Sequence, residues 1–263
     1  MDHIPFALQL HSIQDECETD LPRTLEAVAK MGYQGVEFAG YYGYTVAELR
    51  HMLDDLGLEV VGTHTWYQHL PLVGEGTETH VVQTVADNRV LGNKVLIEVG
   101  DVPFPELERQ STVGWTKRAG LYNDLARRLE QEGMWVGYHN HAFEFDTILD
   151  GERIWDILMA HLDREVLIQL DTGSTLRGGG DVLAVLSQCA GRVKTVHLKP
   201  HSISSGTRPL VGEDDLPWLE ILYLCRTVAG TEWYIVEYES EGYPRMEAVR
   251  RCLDALKTFA AQG

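Results

Sequence analysis

The chain has 263 residues, 44% of them hydrophobic, and sets 22 Lys plus Arg against 40 Asp plus Glu for a formal net charge of -18. This composition excludes a disordered chain, and the charge repels nucleic acid and anionic lipid, so no DNA groove or membrane surface is expected as a partner. Cys17, Cys189, Cys225 and Cys252 form no C-x-x-C pair, the start MDHIPFALQL lacks a basic leader, and no apolar run reaches a membrane span, which together suit a cytoplasmic protein with reduced thiols.

In chain order, an apolar run predicts a first strand at Phe6–Leu10, then a helix whose Leu21, Leu25 and Val28 fall at i, i+4, i+7 behind an Asp20 cap. Strands are expected next at Gly35–Phe38, Glu59–Thr63 and Lys94–Val99, with Thr45 capping the helix that begins at Val46. A helix carrying Leu121, Leu125 and Leu129 on one face leads to a strand at Trp135–His141. Strands at Val166–Asp171, Val193–Lys199 and Trp233–Glu237 follow, with Asp181 as a cap after three glycines and a last stripe at Val249, Leu253 and Leu256. Gly32, Gly57, Gly92 and Gly133 each stand between a helix and the next strand, where a left-handed residue lets the chain reverse. Strand and helix alternating eight times demand parallel strands joined by helical crossovers. The expected fold is a closed (β/α)8 TIM barrel, one domain over residues 1–263, a length ordinary for that architecture.

Alternate residues of a strand share a face. In VKTVHLKPH, Val196 and Leu198 should face the helices, which turns His197 and Lys199 into the barrel. The same parity turns Gln169 and Asp171 inward in LIQLDTG, and Glu237 and Glu239 inward in YIVEYES. Gln9 and His11 share a face in LQLHS, Glu37 interrupts GVEFAG, His64 closes VVGTH and Glu98 closes VLIEV. In GYHNHAFEF, His139 and His141 share a face, with Glu144 just beyond. Polar groups converging on one barrel end cost desolvation unless partnered, and the C-terminal end is where barrel enzymes carry their sites. Glu144, Asp171, Glu237 and His197 would make a mixed oxygen and nitrogen site that suits Mn²⁺, Co²⁺ or Mg²⁺ better than a structural zinc, with Zn²⁺ also admitted. A metal-free salt-bridge network with Lys199, Lys94 and Arg177 is the other reading of the same residues.

The sequence resembles the sugar phosphate isomerase/epimerase family of the xylose isomerase-like barrels. The resemblance runs nearly end to end, through QLHSIQDE, GVEFAG, HNHAFEF, LDTG, VHLKPH, VGEDDLPW and IVEYES. It implies a divalent metal held by Asp171, His197 and Glu237, with Glu144 as fourth ligand and His139 as its competitor. The chain departs from the family pattern at Gln14, where arginine is common, at Pro200, where many members have Asp, and at Tyr238 and Glu239, where Gln-Asp is common. Substrate identity is therefore not carried over.

The expected chemistry is proton transfer next to a carbonyl of a sugar or sugar phosphate, by an isomerase or epimerase working through an enediolate. Glu237 and either Glu144 or His139 would move the proton, and Lys199 would polarise a substrate oxygen. His11, Glu37, His64, Asn140 and His141 would meet sugar hydroxyls. Arg177, with the N–H groups of Gly178–Gly180, could attract a phosphate, although those glycines also read as a loop ahead of the Asp181 cap. Trp66, Trp115 and Trp218 are candidate apolar walls, with core packing the default for each. A dehydratase acting on a keto-inositol or 3-keto-sugar through the same intermediate is the first alternative, and a non-catalytic sugar-binding barrel the second. Abasic-site endonuclease action is disfavoured by the charge. A homo-oligomer stays open on sequence alone.

Overall fold

The computed structural model describes residues 4–65, 77–99, 106–204, 209–240 and 242–262. Trp66 lies outside them. Eight parallel strands close into a barrel: Phe6–Gln9, Gly35–Phe38, Glu59–Thr65, Val95–Val99, Trp135–His139, Leu167–Asp171, Thr195–Leu198 and Trp233–Val236, the first pairing with both the second and the last. They follow the expected runs within two residues at most ends. Asn140 and His141 have left the fifth strand and Lys199 the seventh. A two-stranded antiparallel ribbon, Ile148–Leu149 with Glu152–Arg153, is the one further sheet among the described residues.

Side-chain parity builds two cores. Leu8, Val36, Phe38, Leu96, Val136, Ile168, Leu170, Val196, Leu198 and Val236 face outward and pack with Leu21, Leu25, Val28, Val249, Leu253 and Leu256 of the surrounding helices. Inside the barrel, Ala7, Val61 and Ile235, with Trp233 against them, form a small apolar floor at the N-terminal end. Two residues further along the same inward faces stand Gln9 and Glu237, and at that level the interior turns polar, with Glu37, Gln169, Thr195 and His197 also buried. The floor keeps water out from below, so the polar layer opens only toward the C-terminal mouth. Glu98 goes the other way. It shares the outward face with Leu96, and its charge acts on Arg118, a buried arginine of the helix Thr112–Glu130.

The helix ends follow local chemistry. Asp20 breaks the long segment Gln14–Met31 with φ -159 and ψ 82, and its Oδ1 accepts from Arg23 N at 3.1 Å. It is therefore the cap of a second helix, and Pro22 is tolerated because it falls in that helix's first turn. Thr45 forms a full capping box with Glu48, and Asp181 accepts from the N–H groups of Leu183 and Ala184. Gly32 and Gly57 close their helices at φ 91 and φ 66, conformations that a Cβ would strain.

Candidate metal centre

Four side chains from four elements converge at the mouth. His139 ends the fifth strand, Asp171 the sixth, His197 lies in the seventh and Glu237 follows the eighth, and one ligand atom from each lies within 4.8 Å of all the others. All four are buried. Asp171 is fixed by a second duty: its Oδ1 accepts from Ser174 N at 2.8 Å and its Oδ2 from Ser174 Oγ at 2.9 Å, capping the short helix Thr172–Arg177. Asn140 Oδ1 accepts from Asp171 N at 3.0 Å and so ties the ends of the fifth and sixth strands together.

Beneath the four lies a dense polar layer. Glu37 Oε1 accepts from Gln9 Nε2 at 2.7 Å and lies 2.6 Å from His197 Nε2 and 3.0 Å from His64 Nε2. Glu37 Oε2 accepts from Gln169 Nε2 at 2.6 Å, and Gln169 Oε1 lies 2.9 Å from His139 Nδ1 and 3.0 Å from His64 Nε2. A register shift between Val36 and Glu37 against the third strand sets Gly62 opposite Glu37 while its neighbour Val61 stays in the apolar floor. Gly62 cannot carry a side chain there, since a Cβ would lie 2.3 Å from Glu37 Oε2.

The charges sort themselves by neighbour. Burial alone would lower the His197 imidazole, but Glu37 and Glu237 on its two sides outweigh it and push it up to about 10. Burial together with the nearby imidazoles of His197, His64 and His141 holds His139 well below the ordinary histidine value, so it is neutral. Burial would raise the carboxyls of Glu37 and Glu237. The imidazoles of His64 and His197 hold Glu37 well below the usual carboxylate range, and Lys199 with His197 does the same for Glu237. Lys199 Nζ lies 3.2 Å from Asp171 Oδ2, 3.3 Å from Glu237 Oε2 and 2.7 Å from Glu239 Oε2. Those carboxylates outweigh burial and keep its ammonium protonated.

The donor set fits a divalent ion. Two carboxylates and two imidazoles suit Mn²⁺, Co²⁺ or Zn²⁺. His139 is neutral, with Nδ1 engaged below and Nε2 3.9 Å from Asp171 Oδ2, as a ligand imidazole requires.

Other residues expected at the site stand elsewhere. Glu144 is not brought to the group: its Oε1 accepts from Tyr138 Oη at 2.6 Å and its Oε2 from His141 N at 2.8 Å, so it braces the turn after the fifth strand. His139 occupies the place expected of it, because Glu144 lies on the helix Phe143–Asp146 past the end of strand alternation. Asn140 and Glu37, expected to meet sugar hydroxyls, are fully buried in the bonds described above. His64 is nearly so, which leaves His11 and His141 on the rim. His11 Nε2 lies 3.5 Å from Glu239 Oε1, and the His141 ring stacks on Phe143 with centroids 5.9 Å apart.

The phosphate cradle is not formed. The N–H groups of Gly178, Gly179 and Gly180 donate to Ser174, Leu176 and Thr175 carbonyls, and Cβ atoms at Gly178 and Gly180 would strike Ala142 and Phe145. Gly178 and Gly180 serve packing and Gly179 a left-handed turn at φ 79, and Arg177 beside them lies near Ser174, Lys199 and His201. Of the alternative salt-bridge network only Lys199 takes part, since Lys94 is exposed ahead of the fourth strand at the opposite barrel end. Trp115 and Trp218 are core residues whose Nε1–H groups donate to Arg109 O and Asp214 Oδ1. Gln9, Gln169 and Thr195 complete the site without having been singled out for it. Their signal was inward parity alone, and glutamine and threonine in a strand seldom announce a role.

Comparison with known proteins agrees with the barrel fold. The chain is 26% identical to the rhizopine catabolism protein MocC of Rhizobium meliloti over 69% of its own length but only 58% of that relative. It is 24% identical to an inosose dehydratase of Glaesserella parasuis over 85% of this chain and 84% of that one. A crystal structure of a sugar phosphate isomerase/epimerase from Parabacteroides distasonis superposes with a TM-score of 0.83 at 21% identity, covering 99% of this chain and 95% of that one. The family model described as xylose isomerase-like TIM barrel matches residues 25–259, and this chain belongs to that family.

Proposed function

We propose that this protein is a divalent-metal-dependent enzyme that isomerises or epimerises a sugar or sugar derivative by moving a proton next to a carbonyl. The observation that carries the reading is the convergence of His139, Asp171, His197 and Glu237 within 4.8 Å at the barrel mouth. A divalent ion held by these four would supply a Lewis acid to the substrate carbonyl oxygen and a neighbouring hydroxyl. Glu237, kept ionised by Lys199 and His197, accepts the proton from the carbon beside the carbonyl, a contribution of typically about 10²–10⁴-fold. It returns the proton to the adjoining carbon in isomerisation, whereas in epimerisation water protonates the opposite face of the same carbon. Glu144 is spent on Tyr138 and His141 and takes no part in the transfer. The Lys199 ammonium donates to the substrate oxygen on which negative charge grows. His11, Glu239 and His141 on the rim meet the outer hydroxyls, and Arg177 would meet a phosphate where the substrate carries one.

Dehydration is the second reading, favoured by the inosose dehydratase relative. Where a hydroxyl lies β to the carbonyl, removal of the same proton by Glu237 ends in loss of water, with Lys199 placed to protonate the departing oxygen. Elemental analysis of the purified protein, then incubation with keto-sugars and keto-cyclitols in Mn²⁺, tests both. A product of unchanged mass with solvent deuterium incorporated supports isomerisation or epimerisation, and a product lighter by one water supports dehydration. No bound or activating metal, with no turnover of either kind, would sink the proposal in favour of a non-catalytic barrel.

A further inference from the structure

We infer that Glu37 is a positioning residue that holds a proton on Nε2 of His197 directly and, through Gln169, on Nδ1 of His139. An ionised carboxylate can only accept hydrogen bonds. Glu37 Oε2 lies 2.6 Å from Gln169, so the amide must present its NH₂ there, because a flipped amide would set two acceptors against each other. The same NH₂ reaches Thr195 Oγ1 at 3.0 Å, which a hydroxyl oxygen can accept. With the amide so fixed, its carbonyl oxygen faces His139 Nδ1 at 2.9 Å and His64 Nε2 at 3.0 Å. A carbonyl also only accepts, so His139 carries its hydrogen on Nδ1 and turns a bare Nε2 toward Asp171 and the centre of the group.

The other branch is shorter. His197 Nε2 lies 2.6 Å from Glu37 Oε1 and donates to it, which leaves Nδ1, 2.8 Å from Glu237 Oε2, as the nitrogen whose proton a cation would displace. Gln9 Nε2 also donates to Oε1, and His64 Nε2 lies 3.0 Å from the same oxygen, while Oε2 takes the Gln169 amide, so both oxygens of the carboxylate are engaged. Gly62 leaves the space in which Oε2 sits. Glu37 touches neither Asp171 nor Glu237 in any bond described here, so its effect on the site travels through its neighbours' hydrogens.

The test is ¹⁵N-histidine NMR of the full-length, metal-free protein, with Mn²⁺ affinity as a second readout. The wild type should show His139 as the Nδ1–H form. Gln169→Met should disturb the His139 signature and leave His197 as it was, whereas Glu37→Gln should disturb both. Each variant should bind Mn²⁺ about 10–100-fold more weakly, the ordinary cost of losing a group that orients a metal ligand. Finding His139 protonated on Nε2 in the wild type, or both imidazoles unchanged in Glu37→Gln, would overturn the inference. Should Glu37→Gln not fold, the wild-type pattern and Gln169→Met decide it alone. Only the affinity arm rests on the site holding a cation. The expected protonation pattern in a wild type that binds no Mn²⁺ supports this inference and sinks the metal reading instead.

Discussion

The Lys199 ammonium lies 3.2 Å from Asp171 Oδ2, the oxygen that also faces His139 Nε2 at 3.9 Å. A protein cation thus shares a carboxylate with the expected metal, and it reaches Glu237 and Glu239 as well. Lys199→Met should leave buried Asp171 and Glu237 without this counter-charge and destabilise the metal-free protein by about 3–5 kcal/mol. Added Mn²⁺ should restore part of that loss. Urea midpoints with and without Mn²⁺ measure both effects, and an unchanged metal-free midpoint would refute the balancing role.

Asp171→Asn and His197→Ala should each abolish bound metal and activity. Asparagine keeps an oxygen for Ser174 N, so the cap of Thr172–Arg177 survives and far-UV circular dichroism should match the wild type. Full metal content in either variant would show the ligand assignment to be wrong.

Asp214 gives a pH signature away from the site. Burial pushes its carboxyl up to about 6, against the lowering effect of Trp218 Nε1–H and nearby backbone N–H groups. A carboxyl whose folded-state value is raised binds its proton more tightly in the folded chain, so stability falls as pH rises from about 4 to about 6. Above that window the cost of the buried charge is fully present. Asp214→Asn keeps an acceptor for Trp218 and should raise the melting temperature at pH 7 by roughly 2–4 °C, with the difference vanishing below about pH 4. Scanning calorimetry at three pH values checks the sign. A gain that persists in acid would exclude this cause.

Gly62→Ala should be costly for a residue with no chemistry of its own. Its Cβ would fall 2.3 Å from Glu37 Oε2, and the carboxylate, engaged at both oxygens, has little room to retreat. A loss of about 1–3 kcal/mol is expected from such overpacking. Weaker Mn²⁺ binding should accompany it, whereas Gly120→Ala, inside the helix Thr112–Glu130 where a Cβ would meet open space, should leave Mn²⁺ binding unchanged and raise stability by about 0.5–1 kcal/mol.

Parity and capping were open to reading in one dimension because both are local. Val196 and Leu198 had to face the helices, which placed His197 and Lys199 inside without knowledge of what they would meet, and the same held for Asp171 and Glu237. Asp20 could be recognised as a cap because its partner, Arg23 N, is three residues away. Local rules stopped at the end of the fifth strand. Glu144 lies on a turn of helix past His139, and no spacing argument foretells that its carboxylate folds back onto Tyr138 and His141 N. Glu98 shows the converse: inverted parity looked like a site signal, and its explanation is an arginine on a packed helix.

The sequence by itself determined the eightfold alternation, the closed barrel and three of the four converging side chains, since the repeat of two in a strand and the chemistry of helix ends depend on near neighbours. Only the tertiary structure decided that His139 stands in the fourth place and that Glu37 lies beneath the group. Glu37 and His197 are 160 residues apart, and Glu37 and Gln169 are 132 apart. Contacts of that range exist only once the strands have closed around them.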